Sequence, residues 1–324
     1  MTGVCSFSKN AVLGYNTDSD REEGQMLNFK KVQIEDQTLF NQYTICHGYH
    51  NVEACFGNIF LWSRAWDIRM AVDDIALYLV HVNCGEHVFM LPPFLKDCEA
   101  DIGEAIRRSE AYIREKFDKP TRFKGVTPQF KEKIENDCPG EFTFTEDRPN
   151  YEYVYLSENL ASLKGKKLSA KRNHINKLVS KHEFEYRRNY GDMNAACVAF
   201  QKEWIEKRGG MNEDYRDELY VTETALENMD ALGIRCGMLF VDGQLEAFTL
   251  GQQHGEDMAV IHIEKANPDL QGAYPLINRE FVRNEWAHVK YINREEDMGL
   301  EGLRRAKLSY NPVFLLEKYD CVRV

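Results

Sequence analysis

The chain has 324 residues, a formal net charge of -11, 43% hydrophobic and 12% aromatic residues. This is apolar material enough for packed cores and more length than one average domain needs, so two domains are expected; the acidity leaves room only for local contact with a polyanion. No apolar run reaches the roughly 18 residues of a membrane helix, the start "MTGVCSFSKN" lacks a secretory signal, and nine scattered cysteines without a C-x-x-C fit the reduced thiols of a cytoplasm.

Residues 1–25 are polar, carry "NTDSDREEG" and read as a flexible tail, with Met26 a candidate natural start. A helix is expected over 37–46, then strands through "WDIRMAVDDIALYLVHVNCGEHVFMLPP" with hairpin turns at Asp73-Asp74 and Cys84-Gly85. Apolar residues at Ile102, Ala105, Ile106, Tyr112 and Ile113 predict a helix over 97–117. A short strand "TRFKGV" follows, then a helix capped by Thr127 with Pro128 at its first position, then a strand pair "EFTFT" and "YEYVYL". The Cys and His residues of "CHGYHNVEAC" (46–55) and "HVNCGEH" (81–87) match no common zinc spacing, so no metal is assigned.

The second half repeats this order. Two helices, "DMNAACVAFQKEWIEKRG" and "DELYVTETALENMDAL", precede three strands with turns at Asp242-Gly243 and His254-Gly255. Then come a helix from Tyr274 to Trp286, the strand "VKYIN", a helix from Glu301 to Ser309 and a final strand region "VFLLEKYDCVRV". Cys197 and Cys236 fall in apolar patterns and read as small buried hydrophobes, and no His partner for a cysteine nucleophile is visible. The expected organisation is a tail (1–25) and two copies of one mixed α/β unit, 26–150 and 151–324.

This order of helices, three-strand meander, helix, strand, helix and strand resembles the GNAT acyltransferase fold. In that fold the acyl-CoA pyrophosphate sits on main-chain amides between the fourth strand and the next helix. The matching turn here, "DLQGAYPL", has Gln271, Gly272 and Ala273 of the Q/R-x-x-G-x-G/A signature but not its full spacing. A strand handing over to a helix makes an anion-sized hollow of N–H groups. The corresponding turn of the first half, "MLPPFLKDC", has two prolines and no glycine, so that copy is expected to have lost donor binding.

"KGKKLSAKRNHINKLVSK" (164–181) holds seven Lys/Arg and no carboxylate, with Leu168, Ile175, Leu178 and Val179 on one stripe. It reads either as a solvated amphipathic helix or as a clamp for a phosphate-rich ligand, with Lys171 and Lys177 as cations and Arg172 as a bidentate fork. Together, "YVYLSENLASLKGKKLSAKRNHINK", "HIEKANPDLQGAY" and "NREEDMGLEGLRRAKLSYNP" resemble the bacterial family related to the C-terminal domain of phosphatidylglycerol lysyltransferase. The resemblance implies a tandem GNAT arrangement, and relatives that take an aminoacyl group from charged tRNA.

The expected function is therefore transfer of an acyl or aminoacyl group from an activated donor to an amine or hydroxyl. No tightly bound cofactor is expected; acyl-CoA or aminoacyl-tRNA would serve as co-substrate. Glu264, at the end of a strand bordering the hollow, is the candidate general base or amine anchor, and Tyr310 the candidate acid. Lys171, Arg172, Lys177, Lys265, Gln271, Gly272, Ala273 and Tyr274 are the candidate donor contacts; if the strand is regular, Lys265 points away from Glu264. Asn293, Arg294, Glu295 and Asp297, at the edge of the next strand, are the candidate acceptor contacts. The alternative is a non-catalytic module of the same fold that binds tRNA or another anion.

Overall fold

The computed structural model of the protein describes residues 26–44, 48–84, 87–97 and 99–324. The expected tail lies outside the described residues, as do Cys46, His47 and Gly85. In chain order the first part comprises β1 (Lys30–Lys31), α1 (Gln37–Thr44), α2 (Phe56–Trp62), β2 (Ile68–Val72), β3 (Ala76–Cys84), β4 (His87–Met90), β5 (Phe94–Leu95), α3 (Gly103–Phe117), β6 (Arg122–Val126), α4 (Pro128–Asp137) and β7 (Phe142–Glu146). The second comprises β8 (Glu152–Leu156), α5 (Ser157–Ser162), α6 (Ser169–Val179), β9 (Phe184–Asn189), α7 (Asn194–Lys207), α8 (Glu213–Glu227), α9 (Met229–Leu232), β10 (Ile234–Val241), β11 (Gln244–His254) and β12 (Met258–Ala266). After these come α10 (Ala273–Glu285), β13 (Tyr291–Asn293), α11 (Glu301–Leu308), β14 (Phe314–Leu316) and β15 (Tyr319–Arg323).

Local chemistry accounts for several boundaries. The Phe130 amide donates to Thr127 Oγ1 at 3.4 Å and Pro128 occupies the first turn of α4, as its sequence requires. α3 begins at Gly103 rather than near Asp97; just ahead of it the Gly103 amide donates to Asp101 Oδ1 at 2.5 Å and the Ile102 amide to Asp137 Oδ2 at 2.9 Å, which turns the chain into the helix there. Asp242 and Gly243 both have positive φ, 49° and 81°, the backbone a tight two-residue hairpin needs between β10 and β11.

Two mixed sheets result, in the orders β1-β2-β3-β4-β6-β15-β7, with β5 on β3, and β14-β8-β13-β12-β11-β10-β9. Each contains an antiparallel meander, a helix that crosses over, and one parallel pair: β4 with β6, and β12 with β13. In the first sheet the segment after β4 closes on itself, since β5 pairs with β3 and buries Phe94 and Leu95.

One strand crosses between the parts, and one expected strand pair is split. β7 and β8, expected as a pair, lie in different sheets: β8 inserts between β13 and β14 of the second. The terminal strand β15, expected with the second half, inserts between β6 and β7 of the first. An apolar cluster runs through both, joining Phe40, Leu77 and Phe94 to Cys197, Leu226, Met238 and Phe248. Cys197 and Cys236 are fully buried, as expected for small hydrophobes. A second cluster packs α10 through Leu276, Ile277, Phe281 and Trp286 against Tyr155, Ile175 and Ile292.

Candidate functional site

β12 and β13 pair in parallel only from Met258–Tyr291 to Val260–Asn293; β12 then runs on to Ala266 while β13 ends. Across β12, Leu250 pairs with Ile263 but Gly251 with Ile261, which leaves His262 as an extra residue. Such a bulge bends its strand and re-aims the side chains beyond it. The two strands therefore part, and the turn from Asn267 to Gly272 with the start of α10 closes the wide end of the gap.

At that end lies a cleft of about 190 Å³, lined by Lys171 and His174 of α6, by Asn267 and Gln271 of the turn, and by Tyr274 of α10. Gly272 sets how closely α6 approaches: its φ is 104°, and an added Cβ would lie 2.6 Å from the His174 carbonyl oxygen. Gly272→Ala is therefore expected to cost about 1–3 kcal/mol, measured by denaturant unfolding; an unchanged midpoint would mean that α6 has room to yield.

The candidate donor residues divide. Lys171 enters the cleft, its Nζ 4.2 Å from the centre of the Tyr310 ring. Burial, and then the nearby Arg294 charge, lower its pKa. Lys177 Nζ donates to Gln271 Oε1 at 3.3 Å, tying α6 to the turn. Gly272 shapes the cleft and Tyr274 walls it, its hydroxyl accepting from Trp204 Nε1 at 3.0 Å. Three contacts differ from expectation. Arg172 is a brace whose Nη1 donates to the carbonyls of Leu163 and Gly165 and holds the α5–α6 loop. The Ala273 amide donates to the Leu270 carbonyl at 3.1 Å and so serves the turn. Lys265 points to the opposite face, as strand alternation requires, where its Nζ donates to Glu218 Oε1 at 2.7 Å beneath Trp204; it cannot meet a donor in this cleft.

Behind Lys171 the two candidate catalytic residues and one acceptor candidate come together. Arg294 Nη2 donates to Glu264 Oε1 at 2.8 Å, and Asn278 Nδ2 donates to Glu264 Oε2 at 2.9 Å. The Arg294 guanidinium lies 4.7 Å from the Tyr310 ring centre, and the side chains of Glu264 and Arg294 are only 10% and 11% exposed. Burial opposes the Arg294 charge, but Glu264 together with Tyr155 and Tyr310 outweighs it and raises the pKa; burial also raises that of Tyr310, which keeps its proton. Two buried polar atoms here have no hydrogen-bond partner, Arg294 Nη1 and Asn278 Oδ1. A buried donor and a buried acceptor left unmade are costly in a protein that never fills them.

The other acceptor candidates face away. Asn293 Nδ2 donates to Glu152 on β8. Glu295 Oε1 stands 2.8 Å from His262 Nδ1. Asp297 is fully buried and accepts from Tyr153, Arg148 and Arg304; burial works against its charge, yet these donors hold its carboxyl well below the usual range. It is a structural clamp. Positive φ at Glu295 (55°) and Met298 (53°) breaks the strand alternation that would have put this set on one surface.

Sequence reasoning missed Asn278, Cys55, His254 and His262. An asparagine within the apolar stripe of Leu276, Ile277 and Phe281 was a visible signal for Asn278, whereas Cys55 meets His254 and His262 only through folding. Among the described residues no group of three or more His, Cys, Asp or Glu is arranged to hold a metal ion. Nor is any helix among them long and apolar enough to cross a membrane.

The family profile described as "Phosphatidylglycerol lysyltransferase, C-terminal" matches residues 48–322. A conserved protein of unknown function from Bacteroides thetaiotaomicron is 34% identical, with a TM-score of 0.86 over 92% of this chain and 100% of that one. L-PGS from Bacillus licheniformis superposes with a TM-score of 0.61 at 13% identity, over 91% and 93% of the two chains. A tandem GNAT protein from the clavulanic acid biosynthesis pathway gives 0.52 at 10% identity, over 91% and 98%. The uncharacterized protein MYCGA3080 of Mycoplasmoides gallisepticum is 23% identical over 170 residues, 52% of this chain; the match spans about half, 54%, of that relative's length.

Proposed function

Because the chain belongs to the family of phosphatidylglycerol lysyltransferase C-terminal domains, with mixed sheets of GNAT-like plan, we propose that it moves an acyl or aminoacyl group from an anionic activated donor, acyl-CoA or aminoacyl-tRNA, to an amine or hydroxyl. The observation that carries this reading is the pair of unmet buried atoms on either side of Glu264. Arg294 Nη1 is a charged donor for the reacting carbonyl oxygen, where negative charge grows as the tetrahedral intermediate forms. Asn278 Oδ1 and the remaining lone pairs of Glu264 accept from the attacking amine or hydroxyl.

The donor's phosphate lies along the cleft against Lys171, beside the head of α10, where the Ala273 and Leu276 amides are already bonded and Pro275 has no N–H, so the lysine carries most of the charge complementarity. Glu264 orients the nucleophile and takes its proton as the new bond to the carbonyl carbon forms. As the intermediate collapses and the bond from the carbonyl carbon to the leaving sulfur or oxygen breaks, Glu264 returns that proton to the leaving group, while Tyr310, whose raised pKa makes it a weak acid, supports the site mainly by packing against Arg294 and Lys171. The reducing thiols and the absence of a membrane-crossing helix among the described residues suit a bacterial cytoplasm, where we place the protein.

Lys171→Ala is expected to weaken binding of acyl-CoA or an aminoacyl-tRNA mimic about tenfold, equivalent to about 1.4 kcal/mol, as read by calorimetry. Glu264→Gln is expected to keep donor binding and lose transfer of a labelled acyl group. Binding without transfer from any donor in the unaltered protein would favour the non-catalytic module instead, and no binding of either donor class would remove the reading.

A further inference from the structure

Of the eight residues of α11 one is buried, and it is a lysine: Lys307 is 8% exposed, whereas Leu308 beside it stays 46% exposed. A buried ammonium is costly unless its N–H groups are met. Here the main chain meets them, since Lys307 Nζ donates to the Arg294 carbonyl at 2.5 Å and to the carbonyl of Glu296. These two carbonyls bracket Glu295 and its positive φ of 55°. The other main-chain groups of this turn are taken: the Arg294 amide donates to the Tyr153 carbonyl at 3.0 Å, the Tyr153 amide to the Glu295 carbonyl at 3.1 Å, and the Glu295 amide to Asn293 Oδ1 at 2.9 Å. The lysine completes the pairing that a buried turn requires.

The main chain of Lys307 serves the same guanidinium. Its carbonyl accepts from the Tyr155 hydroxyl at 2.8 Å and from the Tyr310 amide at 3.1 Å. The rings of these two tyrosines are centred 5.7 and 4.7 Å from the Arg294 guanidinium. One residue therefore holds both the backbone from which Arg294 departs and the two rings against which it lies. Direction matters at this point because neighbouring side chains diverge: Arg294 Nη2 reaches Glu264 Oε1 at 2.8 Å, while Glu295 Oε1 stands 2.8 Å from His262 Nδ1 on the other side.

We infer that Lys307 is a positioning residue: its ammonium clamps the turn at Glu295 so that Arg294 is presented to Glu264 with Nη1 left open for the reacting oxygen. Lys307 itself touches neither donor nor acceptor. That a well-aimed Arg294 speeds transfer rests on the functional reading above, but the clamp does not. Two substitutions separate the clamp from simple packing. Methionine fills similar space and offers no N–H, so the two carbonyls lose their partner. Arginine keeps the charge and offers a fork of N–H groups able to meet both carbonyls.

The test is made first on the full chain without ligand, by NMR of the Arg294 side-chain N–H signals, assigned by their loss in Arg294→Lys. Lys307→Met is expected to displace and broaden these signals, and Lys307→Arg to restore them. Ile134→Ala, a cavity in α4 of the first part where Ile134 is 1% exposed, serves as the control for lost stability and should leave them in place. Should Lys307→Met not fold, the shorter and uncharged Lys307→Gln takes its place with the same expectation. Arg294 signals unmoved in the folded variant, no recovery in Lys307→Arg, or an equal displacement in Ile134→Ala would each overturn the positioning role. With a donor and acceptor that the unaltered protein turns over, Lys307→Met should keep donor binding and lose about a hundredfold in kcat; an equal loss of donor binding with kcat unchanged counts against the clamp. If the unaltered protein transfers from no donor, the functional reading falls, and the signals measured without ligand still decide the clamp.

Discussion

Lys318→Met is expected to lower the free energy of unfolding by about 3–5 kcal/mol. Lys318 Nζ donates to Glu53 Oε1 at 2.6 Å and lies 2.6 Å from Glu152 Oε1, with the lysine side chain 2% and the Glu152 side chain 0% exposed. One ammonium thus serves two carboxylates, and Glu296 is close enough to add a third field. Removing it strands buried negative charge, which is far costlier than losing a surface ion pair. Burial already pushes Glu152 up to about 7, with Lys318 the chief influence holding it down.

The sign of the pH dependence follows. Without Lys318 the carboxylates take up protons more readily in the folded state, so acidification relieves the variant. Its deficit against wild type is expected to be largest near pH 8 and smaller near pH 5. Denaturant titrations at the two pH values measure this, and a deficit under about 1 kcal/mol at pH 8 would mean that water reaches the cluster.

Deleting residues 319–324 should be more drastic. β15 pairs on both sides, Cys321 with Phe123 of β6 and with Phe144 of β7, and Cys321 is fully buried. Its loss leaves two inner strand edges unpaired and opens the first sheet to water. A fragment of residues 26–150 is therefore expected to show no cooperative unfolding by circular dichroism, and to regain it when 319–324 is fused behind β7. A cooperative transition in the unfused fragment would contradict the need for the exchanged strand.

How much of this was legible in the sequence follows the range of the interactions. Helices and hairpins depend on neighbours a few residues apart, so Thr127-Pro128, Asp242-Gly243 and the stripe of α6 read directly. Strand alternation likewise separated Glu264 from Lys265. Arg172 misled because a guanidinium fork suits main-chain carbonyls as well as phosphate, and nothing nearby in sequence shows which it meets. The crossing of β15 into the first sheet has no local signature, since "CVRV" can complete either sheet. A clue was available for the junction: Glu152 and Lys318 interrupt apolar strand-like runs, and a charge in such a run is either exposed or paired.

The exchanged strand also sets a schedule for the nascent protein. Ribosomes add residues from the amino end at roughly 5–20 per second, so the time between finishing β7 and finishing β15 is on the order of 10–40 s. Throughout that interval β6 and β7 wait beside a vacant lane, with edges able to recruit any passing strand, including one from a neighbouring nascent copy. Maturation of the amino-terminal part is thus withheld until β15 has been made, which predicts dependence on holding chaperones and a tendency for crowded polysomes to yield intertwined dimers.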